Sequence, residues 1–338
     1  MDTKQKKISS FLVVGGGISG LLIARSLADA GFSVRVLDKG RGFGGRLATR
    51  RAMPARFDHG AQYFTVRDAR FQSWVDQWLK AGVIREWFDR FEGTSTDAEG
   101  HPRYVGVHGM SDIAKWLAVG VDVRRATKAL ALSRRRGVWT VHTDTEWDYQ
   151  AETLILTTPV PQALDLLDSS GEDYGNGYSE RLRAVHYEKG LALMGRLDGP
   201  SGLPGFGGIK IDDSAQLSWL ADNAMKGISE VPAITLLSTA DFAEAHWDNE
   251  DSVRGQLLAE AAGPYLKARI REFSCHRWGF TKPVVTFGAP YFCNQALGLL
   301  MAGDGFGGPR VEGAALSAIE TIQYLFEAIC TPHWGFHG

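Results

Sequence analysis

Cysteine is scarce. The chain of 338 residues has three, Cys275, Cys293 and Cys330, an odd number at wide spacing. That argues against a disulfide framework or a zinc site and suits free thiols in a reducing compartment. An excess of one charge is also missing. The formal net charge is −2, so there is no electrostatic case for nucleic acid or acidic lipid as a partner. No apolar run approaches the ~20 residues that span a bilayer. The first ten residues are polar, carry three lysines and lack the apolar core and cleavage site of a signal peptide, so a cytoplasmic protein is expected. The nine histidines show no metal-ligand spacing, and no metal is expected.

Glycine, by contrast, is plentiful at 40 residues and clusters at 15–20, 40–45, 199–208 and 303–308. The first cluster sits between two recognisable elements. Phe11-Leu12-Val13-Val14 has the continuous apolar character of a buried parallel strand. Leu21 to Ala30 reads as a helix stopped at Gly31, and Ser33 to Leu37 as a second strand ending at Asp38. Farther on, Phe71 to Ala81 has an amphipathic helical pattern, and Phe91–Arg103 is polar and reads as loop. Ser111 to Ala118 reads as a capped helix, and Val121–Val123, Ala129–Leu132 and Val138–His142 as strands, with a turn at Arg134–Gly137. Thr153–Leu156 reads as a buried strand. From about 163 to 280, glycine and proline turns separate runs such as Leu191–Leu197, Leu217–Leu220 and Ala233–Leu237, the pattern of a mostly antiparallel sheet. Leu299–Ala302 then reads as a buried strand, followed by a glycine-rich turn and a helix over Glu312–Ile329.

These elements predict an α/β chain: a Rossmann-like FAD-binding domain in three pieces, 1–70, 105–162 and 283–338, with a mixed or antiparallel-sheet substrate domain, 71–104 and 163–282, inserted between them. Gly15, Gly17 and Gly20 form the G-x-G-x-x-G pattern. Gly15 permits a tight turn, Gly17 lets backbone approach a pyrophosphate, and Gly20 lets helix pack on strand. Ile18 and Ser19 lie in the glycine turn just before the helix, whose N-terminal amides and partial positive charge suit phosphate. Asp38, 18 residues after Gly20 at the end of the second strand, suits an adenosine ribose. The loop Lys39-Gly40-Arg41-Gly42-Phe43-Gly44-Gly45-Arg46 can wrap and neutralise a second phosphate, which favours FAD over a nicotinamide dinucleotide as resident cofactor. Gly303 and Asp304 after the last strand suit the ribityl hydroxyls. Val311 and Ala314 stand at the N-terminus of the final helix, whose dipole suits the flavin pyrimidine edge.

The loop Arg41–Arg46, with Asp58-His59-Gly60-Ala61-Gln62-Tyr63-Phe64-Thr65, resembles the flavin amine-oxidase superfamily, and within it the renalase family. Further similar blocks are His108-Gly109-Met110-Ser111, Thr158-Pro159-Val160-Pro161, Tyr187 to Leu193, Ala221-Asp222-Asn223, His276-Arg277-Trp278 and Gly303-Asp304-Gly305-Phe306. The resemblance implies a p-hydroxybenzoate-hydroxylase-like fold with non-covalent FAD. It also implies oxidation of dihydro-nicotinamide dinucleotides reduced at the wrong ring position, with O2 as acceptor and H2O2 as product. By matching positions it adds Lys39, Arg46, Gly60, Ala61, Gln62 and Ala129 to the cofactor contacts, and Gly45, His59 and Thr158, within the similar blocks, are expected beside them. Ala129 stands where the family usually has valine, so its backbone is the expected contact. Gly279-Phe280-Thr281-Lys282 departs from the family pattern, and Lys282 is the nearest lysine by region to one that many flavin amine oxidases keep near flavin N5.

Hydride transfer to a flavin needs positioning more than an acid or base. Gln62, Tyr187, His276 and Trp278 are the expected catalytic set: His276 packs or hydrogen-bonds near the site, and Trp278, Tyr187 and Tyr63 are walls for a flat ring. The leading reading is a renalase-like oxidase acting on a small dinucleotide. The alternatives are an amine oxidase or desaturase-like enzyme, and a flavin-binding protein without turnover. The oligomeric state is not readable from the sequence.

Overall fold

The structure, a computed structural model, describes residues 5–52, 54–89, 100–175 and 177–329. Cys330 and most of the expected loop at 91–103 lie outside them. The chain divides into two compact units: Met1–Gly45, Ala114–His186 and Pro283–Gly338 form the first, Arg46–Ile113 and Tyr187–Lys282 the second. These bounds differ from the expected ones. Residues 46–70 and 105–113 group with the second unit, and 163–186 with the first.

In the first unit, Phe11 to Val14 form the buried end of the strand Gln5–Val14. It lies parallel to Val34–Leu37 on one side and to Trp147–Leu156 on the other. Asp122–Arg124 extends the parallel sheet beyond Val34–Leu37, and Leu299–Met301 extends it beyond Trp147–Leu156. The most apolar strands are thus the inner ones, with both faces buried. Phe292–Asn294 adds an antiparallel edge, and the hairpin Ala129–Arg135 and Val138–Thr143 joins Trp147–Leu156. The hairpin turn is tighter than expected. Arg136 and Gly137, both at positive φ (50° and 82°), carry it alone, as a two-residue connection between twisted strands requires.

The helix Ile18–Asp29 packs against the terminal helix Arg310–Ile329, where the Ser19 hydroxyl donates to the Ala314 carbonyl at 2.7 Å. Helical pieces appear where none was expected. Pro159 precedes the helix Val160–Asp168, which buries Val160, Ala163, Leu164 and Leu167 at helical spacing. The glycine-rich turn at 303–308 contains a single helical turn, Asp304–Gly307.

The second unit holds a five-stranded sheet in the order Gly208–Lys210, Leu217–Asp222, Ala233–Ser238, His186–Leu197, Ile270–Val285. The first three pairings are antiparallel. Leu191, Leu193, Leu217, Leu220, Ile234 and Leu236 meet Leu258 and Ala262 in one apolar core. The last two come from the helix Asp251–Ala262, and Ala240–Ala245 is a second helix inside the stretch read as strands. Thr239 caps that second helix through the Phe242 amide at 3.2 Å. The amphipathic helix Ala69–Lys80 buries Phe71, Val75 and Trp78, with Asp68 as its N-cap. No helix among the described residues is long and apolar enough to cross a membrane.

Candidate active site

In the first unit the loop Gly15–Gly20 turns at Gly15, whose φ of +117° suits glycine. A side chain there would strike Thr157, and one at Gly20 would meet the Gly15 carbonyl at 2.0 Å. A Cβ on Gly17 would meet nothing within 4 Å, so this is the open point of the loop. Asp38 braces the loop from the second strand. One carboxylate oxygen accepts the Gly16 amide and the other the Gly40 amide, each at 2.6 Å. Burial pushes the Asp38 carboxyl up from its ordinary value, and those two amides pull it back. The following loop is tied in as well. The Gly44 amide donates to the Gly16 carbonyl, the Ala126 amide to Gly40, and the Arg125 guanidinium lies 4.5 Å from the Phe43 ring centroid.

The fit to a dinucleotide can be tested on these atoms. Gly17 is open beside a helix N-terminus, and the Thr158 hydroxyl is buried without a hydrogen-bond partner. An anionic, acceptor-rich group suits both. Lys39 and Gly45 are exposed, and Ile18, Ser19 and Gly20 are buried. Gly303, Asp304, Val311 and Ala314 are buried, and the Gly303 amide donates to Ser317 Oγ at 2.8 Å. Ala129 begins the strand Ala129–Arg135 opposite Thr143.

The second unit gathers another set. His59 is buried between His276, edge-on at 5.1 Å between centroids, and Trp278, stacked at 5.4 Å with 28° between planes. The Trp278 indole donates to the His59 carbonyl at 2.7 Å. Burial and the neighbouring His276 lower the His59 pKa to about 4, and the Phe57 carbonyl offsets this in part. Burial and Arg50 lower His276 as well. Both rings are therefore uncharged at neutral pH.

Gly60 lies so close to Arg46 that a Cβ would sit 2.0 Å from the Arg46 carbonyl, which accepts the Ala61 amide at 2.9 Å. The Arg46 guanidinium donates to the Phe280 and Thr281 carbonyls at 3.3 Å and lies 5.7 Å from the Tyr187 ring. Thus His59, Gln62, His276 and Trp278 share one part of the second unit, and Tyr187 lies under Arg46. Tyr63 stands elsewhere, in an aromatic cluster with Trp87, Phe88 and Trp219. Lys282 is exposed and 3.5 Å from Glu188.

The buried lysine is a different one. Lys226 and Asp58 are both fully buried, with Nζ 2.7 Å from Asp58 Oδ2 and 2.5 Å from the Gln62 carbonyl. Asp58 Oδ1 accepts Thr49 Oγ1 at 2.6 Å and the Met110 amide at 2.9 Å. Burial lowers the lysine pKa, and Asp58 opposes that shift. No sequence signal marks Lys226, because its partner is 168 positions away.

A family model described as an NAD(P)-binding Rossmann-like domain matches residues 13–78. Renalase of Mus musculus is 25% identical over 347 residues, covering 94% of this chain and 99% of its own. The chain is therefore similar to renalase along nearly its whole length. That similarity, with a dinucleotide-binding domain at the start of the fold, points to an oxidoreductase. The chain shares its fold with a putrescine oxidase solved bound to putrescine (TM-score 0.70, 12% identity, 96% of this chain and 100% of that one). It shares it also with a CLA-producing fatty acid isomerase from P. acnes (TM-score 0.69, 12% identity, 94% and 99%).

Proposed function

We propose that the protein is an FAD-dependent oxidase that takes a hydride from dihydro-nicotinamide dinucleotides reduced at the 2- or 6-position. The bound flavin would supply the two-electron acceptor, and O2 would carry those electrons off as H2O2. Gly15, Gly17 and the helix start at Ile18 would hold the pyrophosphate, Asp38 the ribose, and Asp304 with the Val311–Ala314 turn the flavin end. In the second unit His59, Gln62, His276 and Trp278 would orient the reacting ring and keep water from it.

The observation that carries this reading is the electrostatic character of that second set. His59 and His276 are uncharged, and the cation bearing on both is Arg50. Asp58, the carboxylate next to His59 in the chain, is matched by Lys226, and Asp251 is a smaller influence on His276. An ammonium substrate gains little from such surroundings, whereas an uncharged, electron-rich ring against Trp278 loses nothing.

The test is anaerobic mixing of the purified protein with 6-dihydro-NAD while the flavin spectrum is followed. Rapid bleaching, with recovery in air, is expected. Bleaching by amines and not by the dinucleotide overturns the substrate, and failure to take up FAD at all overturns the cofactor.

A further inference from the structure

In the first unit the hairpin Ala129–Arg135 and Val138–Thr143 lies beside the strand Trp147–Leu156. One face of these three strands is core, where Leu132, Trp139, Val141, Tyr149 and Ala151 are buried. Side chains alternate across a sheet, so Ser133, Thr140, His142, Asp148 and Gln150 stand on the other face. Thr140, directly opposite Ser133, is taken by the Gln150 amide at 2.8 Å. The Ser133 hydroxyl turns instead to its diagonal neighbour His142, with Oγ 2.9 Å from Nε2. The other ring nitrogen, Nδ1, lies 2.8 Å from Asp148 Oδ2. A carboxylate only accepts, so Nδ1 carries the proton and Nε2 is left to accept the serine O–H. Asp148 is buried, whereas Ser133 and the imidazole are partly open to solvent. Arg135, two residues on along the same face, is exposed. On so open a face water could satisfy each of these groups. What the arrangement adds is order: hydroxyl, Nε2, Nδ1, carboxylate, the chain that lets a histidine take a proton from a serine.

We propose that Ser133 is a nucleophile for acyl transfer, with His142 as its general base and Asp148 as the positioning residue, and that its substrates are carboxylic esters with a good leaving group. Ser133 Oγ bonds to the ester carbonyl carbon while its proton passes to His142 Nε2. The bond from that carbon to the leaving alcohol oxygen then breaks, and His142 returns the proton to the alcohol. Water, giving its proton to the same nitrogen, attacks the acyl-serine. The carboxylic acid leaves, and the serine oxygen takes the proton back. No oxidant or cofactor takes part. Arg135 is the cation on this face for the negative charge that builds on the carbonyl oxygen. An open sheet face suits a reactive ester rather than an amide, whose poorer leaving group needs more stabilisation than one surface cation gives. None of these residues belongs to the set proposed for the flavin reaction, so this is a second, independent activity.

The experiment treats the purified protein with a fluorophosphonate, which loses fluoride as an activated serine oxygen bonds to its phosphorus, and locates the adduct by peptide mass spectrometry. A single adduct on Ser133 is expected. In parallel, hydrolysis of p-nitrophenyl acetate is followed by release of p-nitrophenolate. Ser133→Ala should lower kcat/KM at least about tenfold. Asp148→Asn should lower kcat by a similar factor with KM nearly unchanged, a split that a general loosening of the sheet would not give. Thr140→Ala, on the neighbouring rung, should leave both readouts as they are. Wild type that takes no label, or takes it on another residue, overturns the proposal, and this arm needs no variant to fold. Hydrolysis that survives intact in Ser133→Ala overturns it too. The flavin reading is tested separately, because bleaching by 6-dihydro-NAD should be the same in wild type and Ser133→Ala.

Discussion

His59 shows how one buried side chain can couple the second unit to pH. In the unfolded chain a histidine takes its proton near pH 6.5, but in the folded protein His59 holds out to about 4, chiefly because it is buried. As pH falls through that window the unfolded state binds more protons than the folded one, so stability is lost. The loss from this one group is bounded at about 3 kcal/mol, and His276 acts in the same direction. His59→Phe removes the His59 share. Urea midpoints near pH 7 and near pH 5 should therefore differ more for wild type than for the variant, and equal differences would sink the account. The residue was readable as a member of the Asp58–Thr65 block. That its ring is neutral was not, because the burial comes from Trp278 and His276, more than 200 positions away.

At the scale of elements, the hairpin Thr49–Ala52 and Ala55–Asp58 is joined to the turn after Leu217–Asp222 by the Asp58–Lys226 pair. Lys226→Met leaves the Asp58 carboxylate buried without its counter-charge and should cost about 3–5 kcal/mol. Asp58→Asn added to it removes that uncompensated charge while keeping an oxygen for Thr49 and Met110, so the double variant should be more stable than Lys226→Met alone. Chemical unfolding of the two variants checks this, and additive losses would show that the pair is not coupled. Elements with one strong local pattern were legible: the strand ending at Val14, the helix over Ala69–Lys80 and the terminal helix. The helices Val160–Asp168 and Asp251–Ala262 were not. The first is short and follows a proline close after a strand, and the second has no strong apolar stripe, burying Gly255 and Arg254 along with Leu258.

For the whole molecule, the glycine loops of the first unit, proposed to hold FAD, would bear on stability as well. A ligand that binds only the folded state stabilises it by about 2.7 kcal/mol at a hundred times its Kd. Saturating FAD should therefore raise the thermal midpoint by several degrees. Gly17→Val, which puts a branched side chain where the backbone is open, should abolish that rise while the apoprotein keeps its own midpoint. An unchanged FAD shift in the variant would take the pyrophosphate away from this loop.

The sequence by itself determined the strand–loop–helix at Gly15–Gly20 and the carboxylate at Asp38. Turn conformation, helix periodicity and strand length are set by residues close together in the chain, and the resemblance to renalase was legible for the same reason. Only the tertiary structure decided which lysine is buried and where the two units divide. Those outcomes depend on burial and hydrogen bonds between residues far apart in sequence, such as Asp58 with Lys226 and His59 with Trp278, and no local pattern encodes them.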